Sequence, residues 1–178
     1  FRKRLRYVIE MRSKMRFFHI SDLHFGKLLY GYDLTEEHRN FIEQLGNYCD
    51  KYNPDAVLIA GDVYDRSVPS ADAMTLLDEL LNKLSGRKVF IISGNHDNAK
   101  RLSFGKDFLK KHDIYISTVP PTGENEKIEK VKFADEYGNV NVYMLPFLKP
   151  ALFKNSMPEE AAAGEDAIIK KLVENTDI

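Results

Sequence analysis

Three short polar clusters hold the residue types that can do chemistry in this sequence. Ser21-Asp22-Leu23-His24 follows the apolar run Met15–Ile20. Gly61-Asp62-Val63-Tyr64-Asp65 follows Ala56–Ala60, and Ser93-Gly94-Asn95-His96-Asp97 follows Lys88–Ile92. Asp22, His24, Asp62 and Asn95 offer carboxylate, imidazole and amide donors, with no thiolate among them. Such a set suits Mn²⁺, Fe or Zn²⁺, and hard divalent ions generally. Asp22 and His24 are two apart, so a continuing strand would present both on one face. The two oxygens of Asp62 can bridge a pair of ions. Two ions roughly 3.5–4 Å apart can activate water, neutralise a phosphate and stabilise a leaving oxygen. His96 can donate a proton or hydrogen bond to a phosphoryl group, and Asp97 can hold its ring.

Singly, each cluster has an ordinary reading. Gly-Asp after a strand is often a plain turn, and Gly-Asn-His-Asp can be a turn that caps a helix. Asp65 either supports the site from behind or merely opens the loop before the next helix. His19 reads as a packed core histidine, and His38 and His112 as surface residues. Lys27 and Arg66 stand near the clusters as phosphate contacts or as ordinary solvated charges. The three clusters gain meaning together, because each ends a strand.

The elements that must position them follow from periodicity. Met15–Ile20, Ala56–Ala60, Lys88–Ile92 and Ile114–Ile116 read as buried strands. Thr35 opens a helix to about Lys51 with Phe41, Ile42 and Leu45 on one face, and Asn53-Pro54 ends it. Ser70 caps a second helix whose stripe is Ala73, Met74, Leu77, Leu80, Leu81 and Leu84. Residues 100–111 read as a third. Strand alternating with helix predicts an α/β fold with a parallel sheet. The C-terminal strand ends of such a sheet line one edge, where ligands bind. After Thr118 the character changes. Lys127–Phe133 and Val140–Pro146 read as strands around a turn, and Pro158–Val173 as a final helix.

Composition narrows the class. The chain has 178 residues, 43% hydrophobic and 30% charged, enough for one core-bearing domain or most of one. It holds no stretch of about 20 apolar residues. The only apolar run near its start, Tyr7–Ile9, is too short for a secretory signal. Its one cysteine, Cys49, reads as a buried, inert thiol, which fits a reducing cytoplasm. The net charge is −1, but residues 1–16 hold seven basic side chains and one acid, leaving the remainder at −7. Residues 1–14 read as a basic extension of doubtful nativeness, and 15–178 as the domain. The body does not announce nucleic-acid binding by charge.

The spelling of the clusters resembles a known family. Asp22-Leu23-His24, Gly61-Asp62 and Gly94-Asn95-His96-Asp97 are similar to the first three signature motifs of calcineurin-like metallophosphoesterases. Phe18–Lys27, Ile59–Ser70 and Ile91–Asp97 resemble the DNA-repair exonuclease branch of that family. The resemblance runs from about Met15 to the C-terminus. It implies a metallophosphoesterase-type β-sandwich flanked by helices and a dinuclear site, usually with Mn²⁺. Asp22 and His24 would bind the first ion, Asp62 would bridge, Asn95 would bind the second, and His96 would act on the phosphate. Asp65 stands where some relatives carry a histidine.

The implied activity is a metal-dependent 3′-to-5′ double-strand exonuclease and single-strand endonuclease of DNA repair, recombination and replication. The implied partners are DNA, an ATPase subunit, and a second copy joined through helices 70–85 and 100–111, with Leu102, Phe104 and Phe108 at the contact. The family also supplies a lone histidine and a Gly-His-X-His motif further on, whereas this sequence has five histidines and none after His112. The expectation is therefore an N-terminal part of the domain, incomplete at the C-terminus, that alone binds metal weakly and cleaves poorly. Another phosphoesterase of the same fold, acting on cyclic nucleotides or phosphoproteins, and a non-catalytic scaffold are the alternatives.

Overall fold

A computed structural model describes residues 15–123, 126–135 and 137–176. The basic extension at 1–14 lies outside the described residues. The elements in chain order are β1 (Phe17–Ile20), β2 (Leu28–Leu29), β3 (Tyr32–Asp33), α1 (Thr35–Tyr52), β4 (Ala56–Ala60), α2 (Ala71–Lys83) and β5 (Lys88–Ile92). They continue with α3 (Ala99–Leu102), α4 (Lys106–Lys110), β6 (Ile114–Ser117), β7 (Glu129–Asp135) and β8 (Gly138–Met144). A 3-10 turn at Pro150–Phe153, α5 (Pro158–Ala163) and α6 (Glu165–Asn175) complete the described chain.

Strands β1, β4, β5 and β6 form one parallel sheet in the order β1-β4-β5-β6. The two-residue period of a strand sends alternate side chains to opposite faces. Val57, Ile59, Val89, Ile91, Ile114 and Ile116 pack against Ile42, Leu45 and Cys49 of α1 and against Ala73, Leu76, Leu77 and Leu80 of α2. Their neighbours Ala56, Leu58, Phe90, Ile92 and Tyr115 turn the other way. They meet Phe133, Met144, Val131, Val140 and Val142 of the antiparallel β7–β8 hairpin. Both faces of β4 are thus covered, so its sequence is apolar throughout. Each fully buried aliphatic side chain contributes about 1.5–3 kcal/mol to this core. A smaller cluster of Ile128, Leu148, Phe153, Met157, Ile168 and Leu172 anchors the C-terminal helices.

The helix ends match the sequence expectations in part. Ser70 caps α2, its hydroxyl accepting from the Ala73 N–H at 3.2 Å. Asn53 ends α1 in the left-handed region. Thr35 does not cap α1. Leu34 holds the cap position without a side-chain bond, and Asp33 just before it accepts the N–H and the hydroxyl of Thr35 at 2.8 and 2.6 Å. The helix expected over 100–111 is two short helices interrupted at Gly105, and that over 158–173 is interrupted at Gly164. No described helix is long and apolar enough to cross a membrane. Cys49 is free and fully buried, and burial pushes its thiol pKa up.

Two histidines depart from expectation. His19 is exposed, on β1 at the edge of the described sheet. His38 is half-buried on α1, with its ring edge-on to Phe25 at 5.2 Å. Burial holds its pKa below the ordinary histidine value, although a hydrogen bond with the Leu23 backbone opposes this. The unfolded chain therefore takes up the proton first as pH falls. Stability from neutral His38 is present above pH about 6.5 and is lost as pH drops through that value toward the depressed folded one. Urea unfolding of wild type and His38→Gln across pH 7.5 to 5 should show a steeper acid loss in wild type; parallel curves would contradict the assignment.

Candidate metal centre

Strands β1 and β4 remain zipped beyond their ends. Asp22 N–H donates to the Gly61 carbonyl at 3.2 Å, His24 N–H to Asp62 at 2.9 Å and Phe25 N–H to Val63 at 2.9 Å. Asp22, His24 and Asp62 have φ of +57°, +47° and +47°. For side-chain-bearing residues this left-handed region costs roughly 1–2 kcal/mol each, a strain typical of functional sites. The conformation aims three ligating groups inward from two adjacent turns.

The third loop is held by contact and by one carboxylate. A Cβ on Gly61 would lie 3.0 Å from Gly94 Cα. One on Gly94 would lie 2.0 Å from Asp62 Oδ1 and 2.4 Å from Asp62 N. Only glycine at 94 lets the second and third loops come this close. Asp97 then stitches them, its carboxylate accepting from the N–H groups of Val63 (3.1 Å), Tyr64 (2.9 Å) and Gly94 (2.9 Å). Asp62 Oδ1 accepts from the His96 N–H at 3.0 Å.

Two overlapping groups result. Ligating atoms of Asp22, His24 and Asp62 lie within 4.8 Å of one another, as do those of His24, Asp65 and His96. His24 Nε2 is 3.9 Å from both Asp22 Oδ1 and Asp62 Oδ2. Its Nδ1 is 3.3 Å from Asp65 Oδ1, yet it is buried without a hydrogen-bond partner. Distance alone does not make a bond, so Nδ1 counts as orphaned. The His24 and His96 rings meet edge-on at 4.9 Å. Asn95, exposed, sits in the third loop between Gly94 and His96.

The donors fit a divalent cation. The carboxylates of Asp22 and Asp62 converge on His24 Nε2, a set of oxygen and nitrogen donors suited to such an ion. Asp62 has a side chain only 10% exposed against 65% for Asp22, which puts the Asp62 carboxylate deepest in the group.

The His96 ring is held differently from the expectation. Its Nδ1 lies 2.8 Å from the backbone carbonyl of Asp65, not from Asp97. A carbonyl only accepts, so Nδ1 carries hydrogen and Nε2 is the free position. That bond raises the His96 pKa, the charges of Asp62 and Asp65 add to it, and Lys27 opposes it. The loop-stitching role of Asp97 had no signal in the sequence beyond its place after His96.

Fold and site together define a calcineurin-like phosphoesterase. The family model for that description matches residues 15–173, and the chain belongs to the family. Over 136 residues the chain is 34% identical to the SbcD component of the SbcCD nuclease of Staphylococcus epidermidis. That stretch is 75% of this chain and 34% of the relative, so the chain spans about a third of the length of the curated relative it matches.

Proposed function

We propose that this chain is the metal-binding part of a metal-dependent nuclease subunit of DNA repair and recombination in the cytoplasm. The observation that carries the reading is the gathering of Asp22, His24 and Asp62 ligand atoms within 4.8 Å at one sheet edge. Asp22 and His24 would hold one ion, Asp62 would bridge, and Asn95 would complete the second. Two divalent ions, Mn²⁺ by resemblance, would supply charge for the phosphate and acidify a water. His96 keeps Nε2 free while the Asp65 backbone carbonyl fixes the ring, so a proton taken up at Nε2 makes it a donor. In that form Nε2 donates to a phosphoryl or leaving oxygen. Asp97 keeps the loops in register. Phosphodiester hydrolysis then rests on convergence rather than on a covalent nucleophile.

Likeness to a component of the SbcCD nuclease supports DNA as substrate and an SbcC-type ATPase subunit as partner. For a homodimer through helices 70–85 and 100–111, Met74, Phe104 and Phe108 supply exposed apolar surface. Leu102 is buried in the core and does not. Calorimetric Mn²⁺ titration of the full-length protein is expected to give binding heat for wild type and none for Asp62→Ala. Equal heats would favour the scaffold alternative. Cleavage of linear duplex DNA in preference to a small phosphodiester, by the protein with its ATPase subunit, would separate a nuclease from other phosphoesterases of this fold.

A further inference from the structure

The turn that carries Asp22 and His24 is held by two elements. Both residues have φ in the left-handed region, a conformation that persists only where the surroundings fix it. The second loop takes the N–H groups of Asp22, His24 and Phe25. The other support comes from α1. Leu23, between the two ligands, is buried, and a buried carbonyl needs a donor. His38 supplies it. Burial lowers the His38 pKa, whereas its bond with the Leu23 backbone raises it. A bond that favours the protonated ring is one the ring donates, so the Leu23 carbonyl is the acceptor. The ring also seats edge-on against Phe25 at 5.2 Å, and Phe25 is itself buried and bonded both ways to the second loop. Nδ1 of His38 has no partner at ideal geometry, so this seat helps to hold the ring.

Packing does not explain a histidine here. His38 stands four residues before Ile42, on the stripe that continues through Leu45 and Cys49, and those three are buried and apolar. An aliphatic side chain would fill the position without the cost of burying an imidazole. We infer that His38 is a positioning residue for the metal centre, bracing the Asp22–His24 turn through the Leu23 carbonyl and the Phe25 ring. The inference rests on the reading of Asp22, His24 and Asp62 as metal ligands, and it names what shapes the first loop of that site. His38 acts on the backbone between the ligands, not on the ion. With the brace in place, Asp22 and His24 meet the ion already in their ligating conformation. Without it, binding must also re-form two left-handed residues, which lowers affinity.

His38→Leu keeps the bulk and removes the donor, while His38→Gln removes the ring and keeps an N–H donor of similar reach. Both are made in the full-length protein, and Mn²⁺ affinity is measured by calorimetry well below the unfolding temperature. His38→Leu is expected to bind Mn²⁺ roughly 10- to 100-fold more weakly, the usual loss when a partner behind a metal ligand is removed. His38→Gln is expected to restore most of that affinity. A merely structural histidine would lower Tm and leave the affinity of the folded protein alone. Wild-type affinity in His38→Leu overturns the inference, and so does a loss that His38→Gln shares in full. His38→Met, also without a donor, repeats the test if the leucine variant does not fold. Asp62→Ala keeps the two readings apart. If it binds Mn²⁺ as wild type does, or wild type binds none, the metal centre itself fails. A silent Asp62→Ala beside a normal His38→Leu sinks the brace alone.

Discussion

Gly94→Ala is expected to lower stability by about 3 kcal/mol, at the upper end of overpacking costs. For a domain of this size that shifts Tm down by about 6–12 °C. The added methyl would sit 2.0 Å from Asp62 Oδ1 and 2.4 Å from Asp62 N. The carboxylate oxygen can swing away, but the backbone nitrogen cannot without parting the second and third loops. Mn²⁺ binding should therefore fall along with stability. Gly86→Ala is the control, since Gly86 has φ +80° and open space around it. There alanine should cost only left-handed strain, about 1–2 kcal/mol, and leave Mn²⁺ heats unchanged. Thermal unfolding and calorimetry of both variants test this. A Gly94→Ala protein with normal Tm and normal heats would mean the two loops are not in the contact described.

Asp97→Ala is expected to cost about 3–4 kcal/mol. It removes the acceptor of three backbone N–H groups at once, on Val63, Tyr64 and Gly94. An unmade hydrogen bond to a charged acceptor costs about 1.5–3 kcal/mol, less where water reaches the donor, as it does in part here. Asp97→Asn should lose about half as much. It keeps one acceptor oxygen but turns an amide toward a donor, and it surrenders the charge. Denaturant unfolding should rank wild type above Asp97→Asn and Asp97→Ala lowest. Mn²⁺ affinity should follow the same order, although Asp97 belongs to neither group of ligating atoms. Stability loss with intact affinity would show that the loops keep their places without the stitch.

The strand ends were legible because each polar cluster interrupts an apolar run. A parallel sheet puts such ends on one edge whatever the details of packing. The two helices facing the sheet were legible from their stripes, except that Met74 of the expected α2 stripe is exposed and Leu76, left out of it, is fully buried. What escaped the sequence depends on which element lies beside which. His19 alternates correctly for a buried strand, but β1 turned out to be an edge of the described sheet. His38 is one polar residue on a helix until the loop of His24 is laid over it. Asp97 follows His96 directly, which suggests that it holds the ring; its oxygens instead reach across to the backbone of the second loop. The breaks at Gly105 and Gly164 were readable in principle, because a glycine inside a helical stretch is a warning that favourable neighbours mask.

Sheet order here repeats chain order. A ribosome releasing this chain from its N-terminus presents β1 first, then β4, β5 and β6, and each new strand finds its hydrogen-bonding neighbour already in place. Among the described strands of this sheet, none must wait for a later one to be threaded between its partners. The ligand cluster is thus assembled in the order of synthesis, with Asp97 locking it as the third loop emerges.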